Sequence, residues 1–292
     1  MPFIDLSSIQ FSSGPGGLSV AHLRCPHGSA TVALHGGHVL EYTPKDQRPV
    51  LWLSDSAVFA PGKAIRGGIP VCWPWFGPHP ENSEMPAHGF ARNALWEVQM
   101  THRTENTSSI TLGLCDSDET RALWPYPFEL TIAITLARSL TVALSAKNTG
   151  DADIVCSAAL HSYFAISDIS NIAITGLEGT AFRDQLDEDR IKSEQTPITF
   201  DREIDRVYRD TEAECVIDDS GWERKLHIAK SGSRSTVVWN PWIAKAARMA
   251  DFGDDEYREM VCVETTNADD DTVTIAPGKT HFLTTELSAS AD

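Results

Sequence analysis

Residues 128–144 read FELTIAITLARSLTVAL. Phe128, Leu130, Ile132, Ile134 and Leu136 take every second position, with Glu129, Thr131 and Thr135 between them. Leu140, Val142 and Leu144 repeat the period after Arg138 and Ser139. A period of two places one set of side chains on one face of a sheet. The spacing predicts an antiparallel pair with a tight turn at Arg138-Ser139.

Outward from this pair the pattern recurs. Thr31–Leu34 and His38–Tyr42 read as a hairpin around Gly36-Gly37. Val50–Leu53, Leu95–His102, Ser109–Leu114, Ile154–His161, Ile172–Thr175 and Ile198–Phe200 read as further strands. Ala213–Ile217, Lys225–Ala229, Thr236–Trp239, Met260–Glu264, Thr272–Ile275 and His281–Leu287 continue the series. Many short strands at such spacing predict an all-β fold, a sandwich or barrel. Helical signals are sparse. Pro241–Ala250, with Asn240 as N-cap, and Asp116–Leu123 suit short helices. The expectation is one domain over residues 1–292, made of large twisted antiparallel sheets. Residues 1–30 read as a lead-in with a turn at Gly14 to Gly17, and 288–292 as a peripheral tail.

The chain of 292 residues holds 24 Lys plus Arg against 41 Asp plus Glu, a net charge of -17. Such a surface repels nucleic-acid phosphates and anionic membranes, so neither is an expected partner. Any anionic ligand then needs a local cluster of cations. The cysteines, Cys25, Cys72, Cys115, Cys156, Cys215 and Cys262, include no close pair, so the spacing of a zinc site is missing. Four of them sit in apolar runs and read as reduced core thiols. His22, His27, His35 and His38 lie near one another but lack ligand spacing, and no metal or cofactor is expected. The N-terminus lacks a basic segment followed by an apolar one, and no apolar run approaches a membrane span. A cytoplasmic location is expected.

One stretch departs from the strand pattern. Residues 64–96, AIRGGIPVCWPWFGPHPENSEMPAHGFARNALW, are rich in Pro, Gly and Trp. Trp73, Trp75, Phe76, Phe90 and Trp96 are the wrong composition for disorder. The stretch reads as an ordered functional loop carrying Arg66, His88 and Arg92. On a helix, the four-residue spacing of His88 and Arg92 in HGFAR would put both on one face. Gly89 makes a turn or strand start equally suitable. Alone, the motif also suits a surface imidazole and a solvated guanidinium. Arg66 precedes two glycines that let backbone N–H groups approach a ligand, and paired guanidinium groups suit phosphate oxygens.

His161 ends the apolar run VCSAALH, where a satisfied core histidine is an equal reading. Glu264, in MVCVETT, follows apolar residues on a strand. A carboxylate there is expensive to bury unless paired or used, and burial would raise its pKa towards that of a useful base. Asp205 in EIDRVY has a surface ion pair as its default reading. The WNPW run, Trp239–Trp242, offers an aromatic wall that suits a sugar face or a core.

IRGGIPVCWPWFGPHP, AHGFAR, LHSYFAISDI, DRVY, WNPW and ETTNADDDTVTIAPGKTH, taken together and in this order, resemble the hexose-6-phosphate mutarotases of the aldose 1-epimerase, or galactose mutarotase-like, superfamily. The resemblance covers roughly residues 30 to 287. It implies a β-supersandwich with its active site on a concave face, and a monomer. It also implies His161 as general acid, Glu264 as general base, His88 as the second active-site imidazole, Asp205 on sugar hydroxyls, and Arg66 and Arg92 on phosphate. The implied activity is exchange of the α and β anomers of glucose 6-phosphate, with other hexose 6-phosphates as further candidates. The competing expectation is a non-catalytic sugar-phosphate binding module on the same fold. A glycoside hydrolase would need two carboxylates about 5–10 Å apart, for which Glu264 and Asp205 are the candidates, but a pair of arginines suits a terminal phosphate better.

Overall fold

The computed structural model describes residues 9–79, 81–82 and 84–291. The expectations for residues 1–8 and for residue 292 lie outside the described residues.

The Phe128–Leu136 and Leu140–Asn148 strands pair in register, from Phe128 opposite Asn148 to Leu136 opposite Leu140. The turn between them is Ala137 to Ser139, closed by the Ala137 N–H donating to Ser139 O. Phe128, Leu130, Ile132, Ile134 and Leu136 are buried, and the residues between them are half-buried. Each such aliphatic side chain contributes roughly 1.5–3 kcal/mol on burial, which fixes the inward face.

These two strands sit in an eight-stranded antiparallel sheet with Ile172–Thr175, Cys215–Asp219, Arg224–Ser231, Thr280–Ala291, Ser108–Cys115 and Glu97–Arg103. A second eight-stranded sheet runs through Arg190–Ser193, Ala181–Asp184, Ile204–Tyr208, Ser235–Asn240, Met260–Asn267, Ala158–Leu160 and Val71–Cys72, with Tyr163–Ala165 also paired to Met260–Asn267. The Met260–Asn267 and Ala158–Leu160 strands pack on Thr280–Ala291, which joins the sheets face to face. The architecture is the expected one of large antiparallel sheets with, among the described residues, two short α-helices, Asp118–Leu123 and Trp242–Ala246.

Several local expectations are corrected. Residues 10–25 are no mere lead-in: Gln10–Ser13 and Ser19–Cys25 join Gly28–Ala33 and His38–Pro44 in a four-stranded sheet. The exposed, polar Gln10–Ser13 strand lacks an alternating apolar face that would reveal it. The tail is no appendage either, because Ala291 pairs with Arg224 at the end of Thr280–Ala291. Val50–Leu53 and Ile198–Phe200 make only isolated bridges. Ile154–His161 breaks at Ser157, whose Oγ accepts from the Phe76 N–H. The Pro241–Ala250 helix shrinks to Trp242–Ala246, although Asn240 Oδ1 does accept from the Trp242 N–H. Cys72, Cys156, Cys215 and Cys262 are buried thiols, as expected, while Cys115 is exposed. Among the described residues no helix is long and apolar enough to cross a membrane.

Candidate active site

The second sheet has two unlike faces. Leu160, Phe164, Val238, Val261 and Val263 point into the sandwich core. Their neighbours Tyr163, Val207, Val237, Trp239 and Cys262 form a separate cluster under Trp52 and Phe252. Strand alternation requires this division. The strand register places two rows on the second face. One row runs Asp205, Trp239, Cys262, Tyr163. The next runs Arg183, Val207, Val237, Glu264.

His161 completes the second row. Leu160 lies opposite Thr265 and Tyr163 opposite Cys262, so the register continues unchanged across His161 and Ser162. The ladder opens there because the His161 N–H donates instead to Pro70 O. His161 is thereby the cross-strand neighbour of Glu264, where side chains share a face and touch. His161 Nε2 is 3.4 Å from Glu264 Oε1. Glu264 is 2% exposed and His161 7%. His161 Nδ1 and Glu264 Oε2 are buried without a hydrogen-bond partner. Burial pushes the Glu264 carboxyl well above the usual carboxylate range, with help from Asp205. Burial also holds the His161 imidazole well below its ordinary value, and His88, Arg92 and Arg66 add to that effect. Each shift favours the uncharged form of its own group.

His88 reaches the pair from the Trp-rich loop. Its ring centroid is 5.8 Å from that of His161. The Gly77 N–H donates to His88 Nδ1 at 3.2 Å, and the His88 N–H donates to Gly77 O at 2.7 Å. A neutral ring that accepts at Nδ1 carries its proton on Nε2. Burial lowers this imidazole to about 3, so it stays neutral. HGFAR is not one continuous helix: His88 and Gly89 have left-handed φ, and a single 3-10 turn begins only at Ala91. Gly89 is obligatory: an added Cβ would stand 2.0 Å from Trp73 O.

Arg66 and Arg92 line one cavity of about 370 Å³ with Lys63, Tyr163 and Asp251. Arg66 donates to the Tyr163 hydroxyl at 2.9 Å and to Asp251 at 3.2 Å. Arg92 donates to Ala87 O at 2.8 Å. Both Nε groups are buried and unpartnered, which leaves donors for an incoming acceptor. Tyr163 ties the cavity to the pair, because its ring lies flat on His161 at 4.7 Å. Asp205 is half-buried and does form an ion pair, its default reading. Burial raises its carboxyl pKa, against Lys245, whose Nζ is 3.6 Å away and which also lies over the Trp239 ring.

All six candidate residues thus gather on this face or its rim. Tyr163, Asp251, Lys245 and Cys262 were not singled out from sequence. Tyr163 and Cys262 lie two positions from His161 and Glu264, so extending the strand alternation would have found them. Asp251 and Lys245 come from a loop and a helix and carry no local signal.

Comparison with known proteins supplies the family. A Salmonella typhimurium protein named "Putative glucose-6-phosphate 1-epimerase" is 37% identical over 244 residues, 83% of this chain and 81% of its own. A Cenchrus ciliaris protein with the same name is 34% identical over 276 residues, 91% of this chain and 83% of its own. The crystal structure of a Salmonella typhimurium "putative mutarotase" superposes with a TM-score of 0.92 at 32% identity, covering 99% of this chain and 96% of that one. Residues 20–288 match the family model described as Aldose 1-epimerase. A fold, a site-bearing sheet face and a sequence match of that extent have one explanation: the chain belongs to the aldose 1-epimerase family and is a sugar isomerase.

Proposed function

We propose that the protein interconverts the α and β anomers of D-glucose 6-phosphate, and accepts other hexose 6-phosphates, by acid–base catalysed ring opening and closure. The observation that carries this is Tyr163. A single ring separates the Arg66 guanidinium from the His161 imidazole, so one hexose can touch both the cation-lined cavity and the proton-transfer pair. The names of the Salmonella typhimurium and Cenchrus ciliaris relatives support the same substrate.

Glu264 removes the proton of the anomeric hydroxyl while His161 protonates the ring oxygen. The C1–O5 bond breaks and O1 becomes an aldehyde oxygen. After rotation about C1–C2, the O5 hydroxyl adds to the other carbonyl face, and each residue reverses its role. A positioned acid and base each supply roughly 10²–10⁴-fold. Arg66 and Arg92 help hold His161 deprotonated, so a phosphate dianion between them removes that influence and favours the His161 imidazolium. The substrate's remote anion thus prepares the pair as well as anchoring the sugar. Neutral His88 donates from Nε2 towards the ring oxygen region, and Asp205 with Lys245 holds sugar hydroxyls.

The protein is read further as a cytoplasmic monomer with a small-molecule substrate and no nucleic-acid or membrane partner, on the net charge of -17 and the sequence resemblance. Magnetisation-transfer NMR on glucose 6-phosphate tests the activity. Anomer exchange faster with protein than without it is expected, and equal rates would refute the proposal.

A further inference from the structure

We propose that His161, Cys262 and Glu264 form an inhibitory site for a thiophilic divalent cation of the zinc class, which on binding takes the proton-transfer pair out of use. The inhibition rests on the proposed roles of His161 and Glu264, but the site itself rests on geometry. Cys262 and Glu264 alternate on one strand and share its outer face, and His161 lies opposite Glu264. One ligand atom from each residue lies within 4.8 Å of the other two. A tetrahedral zinc ion holds its ligands about 3.3–3.8 Å apart, so side-chain adjustments of about an ångström bring all three onto one ion. His161 Nε2 and Glu264 Oε1 already stand 3.4 Å apart.

A further observation points to a ligand. His161 Nδ1 and Glu264 Oε2 are buried polar atoms with no partner. An unsatisfied buried acceptor is costly, and a cation or a reacting proton relieves that cost. The sulfur selects zinc, cadmium or cobalt over magnesium or calcium. The metal then occupies the lone pairs that must accept and return the anomeric proton.

The test uses the full-length protein carrying C25S and C115S, which removes the half-buried and exposed thiols. Cobalt(II) is titrated after chelator treatment, followed by zinc(II) competition and calorimetry. One equivalent with a thiolate-to-cobalt charge-transfer band in the near ultraviolet is expected. C262S should abolish the band and weaken zinc binding by at least roughly 10–100-fold, the loss that follows even removal of an outer partner. Zinc(II) should slow anomer exchange at least tenfold relative to each protein's own metal-free rate, with C262S needing correspondingly more. Cobalt bound without the band, affinity unchanged in C262S, or binding without inhibition would each overturn the proposal. Should C262S fail to fold, E264Q supplies the same affinity comparison. Absence of anomer exchange in the metal-free protein would refute the proposed reaction instead, while the cobalt band would still decide the site.

Discussion

Tyr163 lies flat against His161, with ring centroids 4.7 Å apart and planes 6° from parallel. The same residue accepts a hydrogen bond from Arg66 through its hydroxyl. Tyr163→Phe keeps the stack and deletes that bond. A hydrogen bond to a charged group contributes about 1.5–3 kcal/mol. KM for glucose 6-phosphate should rise roughly 10–100-fold, with a much smaller change for free glucose. Steady-state anomerase kinetics on both sugars check this, and equal losses would mean that Tyr163 serves the pair alone.

Arg66→Met and Arg92→Met should act in the same direction and more strongly. Each removes a cavity-lining guanidinium whose buried Nε has no protein partner. We expect KM for phosphorylated sugars to rise while the rate on free glucose stays within a few-fold. A matched loss on both sugars would assign the arginines another role.

Glu264→Gln separates catalysis from stability. Anomer exchange should fall roughly 10²–10⁴-fold. Stability should hold or rise, because the wild-type carboxyl is buried with one oxygen unpartnered. Exchange rates by NMR and urea denaturation measure the two effects. A variant that is active, or one that is markedly less stable, contradicts the assignment.

His38 supplies a pH prediction. It is 1% exposed, donates from Nε2 to Gly67 O at 2.7 Å, and burial pulls it down to about 3. The unfolded chain keeps its ordinary value of 6.5 and so binds the extra proton between about 3 and 6.5. Stability from this group is fully present above 6.5 and is lost as pH falls towards 3. His38→Gln removes that proton. Between pH 5 and 6 the variant's unfolding free energy should fall less steeply than the wild type's, by about 1.4 kcal/mol per pH unit. Urea melts at several pH values test it, and parallel curves would show that His38 does not titrate on unfolding.

Gly89→Ala should cost about 2–4 kcal/mol, combining left-handed strain with a clash against backbone. Gly62 has a similar φ of +74° but open space around it, so Gly62→Ala should cost only about 1 kcal/mol. Urea midpoints at unchanged m-value compare the two. Equal midpoint shifts would show that the close approach to Trp73 O does not matter.

The sheets were legible wherever one face of a strand is apolar and the other polar. Phe128–Leu136 and Leu140–Asn148 announce themselves in this way. Gln10–Ser13 does not, because all of it is exposed. Val50–Leu53 misled in the opposite sense: an apolar run packs well in a loop that makes only single bridges. For the site, the residue types in HGFAR and MVCVETT were informative, but the helical spacing of His88 and Arg92 was not, since their segment turns left-handed at His88 and Gly89.

The all-β class, the ordered Trp-rich loop and the chemical types of the candidate residues were readable from the residues alone, because side-chain period and composition are local properties of the chain. Folding in three dimensions was needed to show that His161 faces Glu264, that Tyr163 joins them to Arg66, and that Cys262 lies beside His161, Glu264 and Tyr163. Those contacts depend on strand register between segments far apart in the chain. That register is set by burial of one sheet face against another, for which no short stretch of sequence carries a signal.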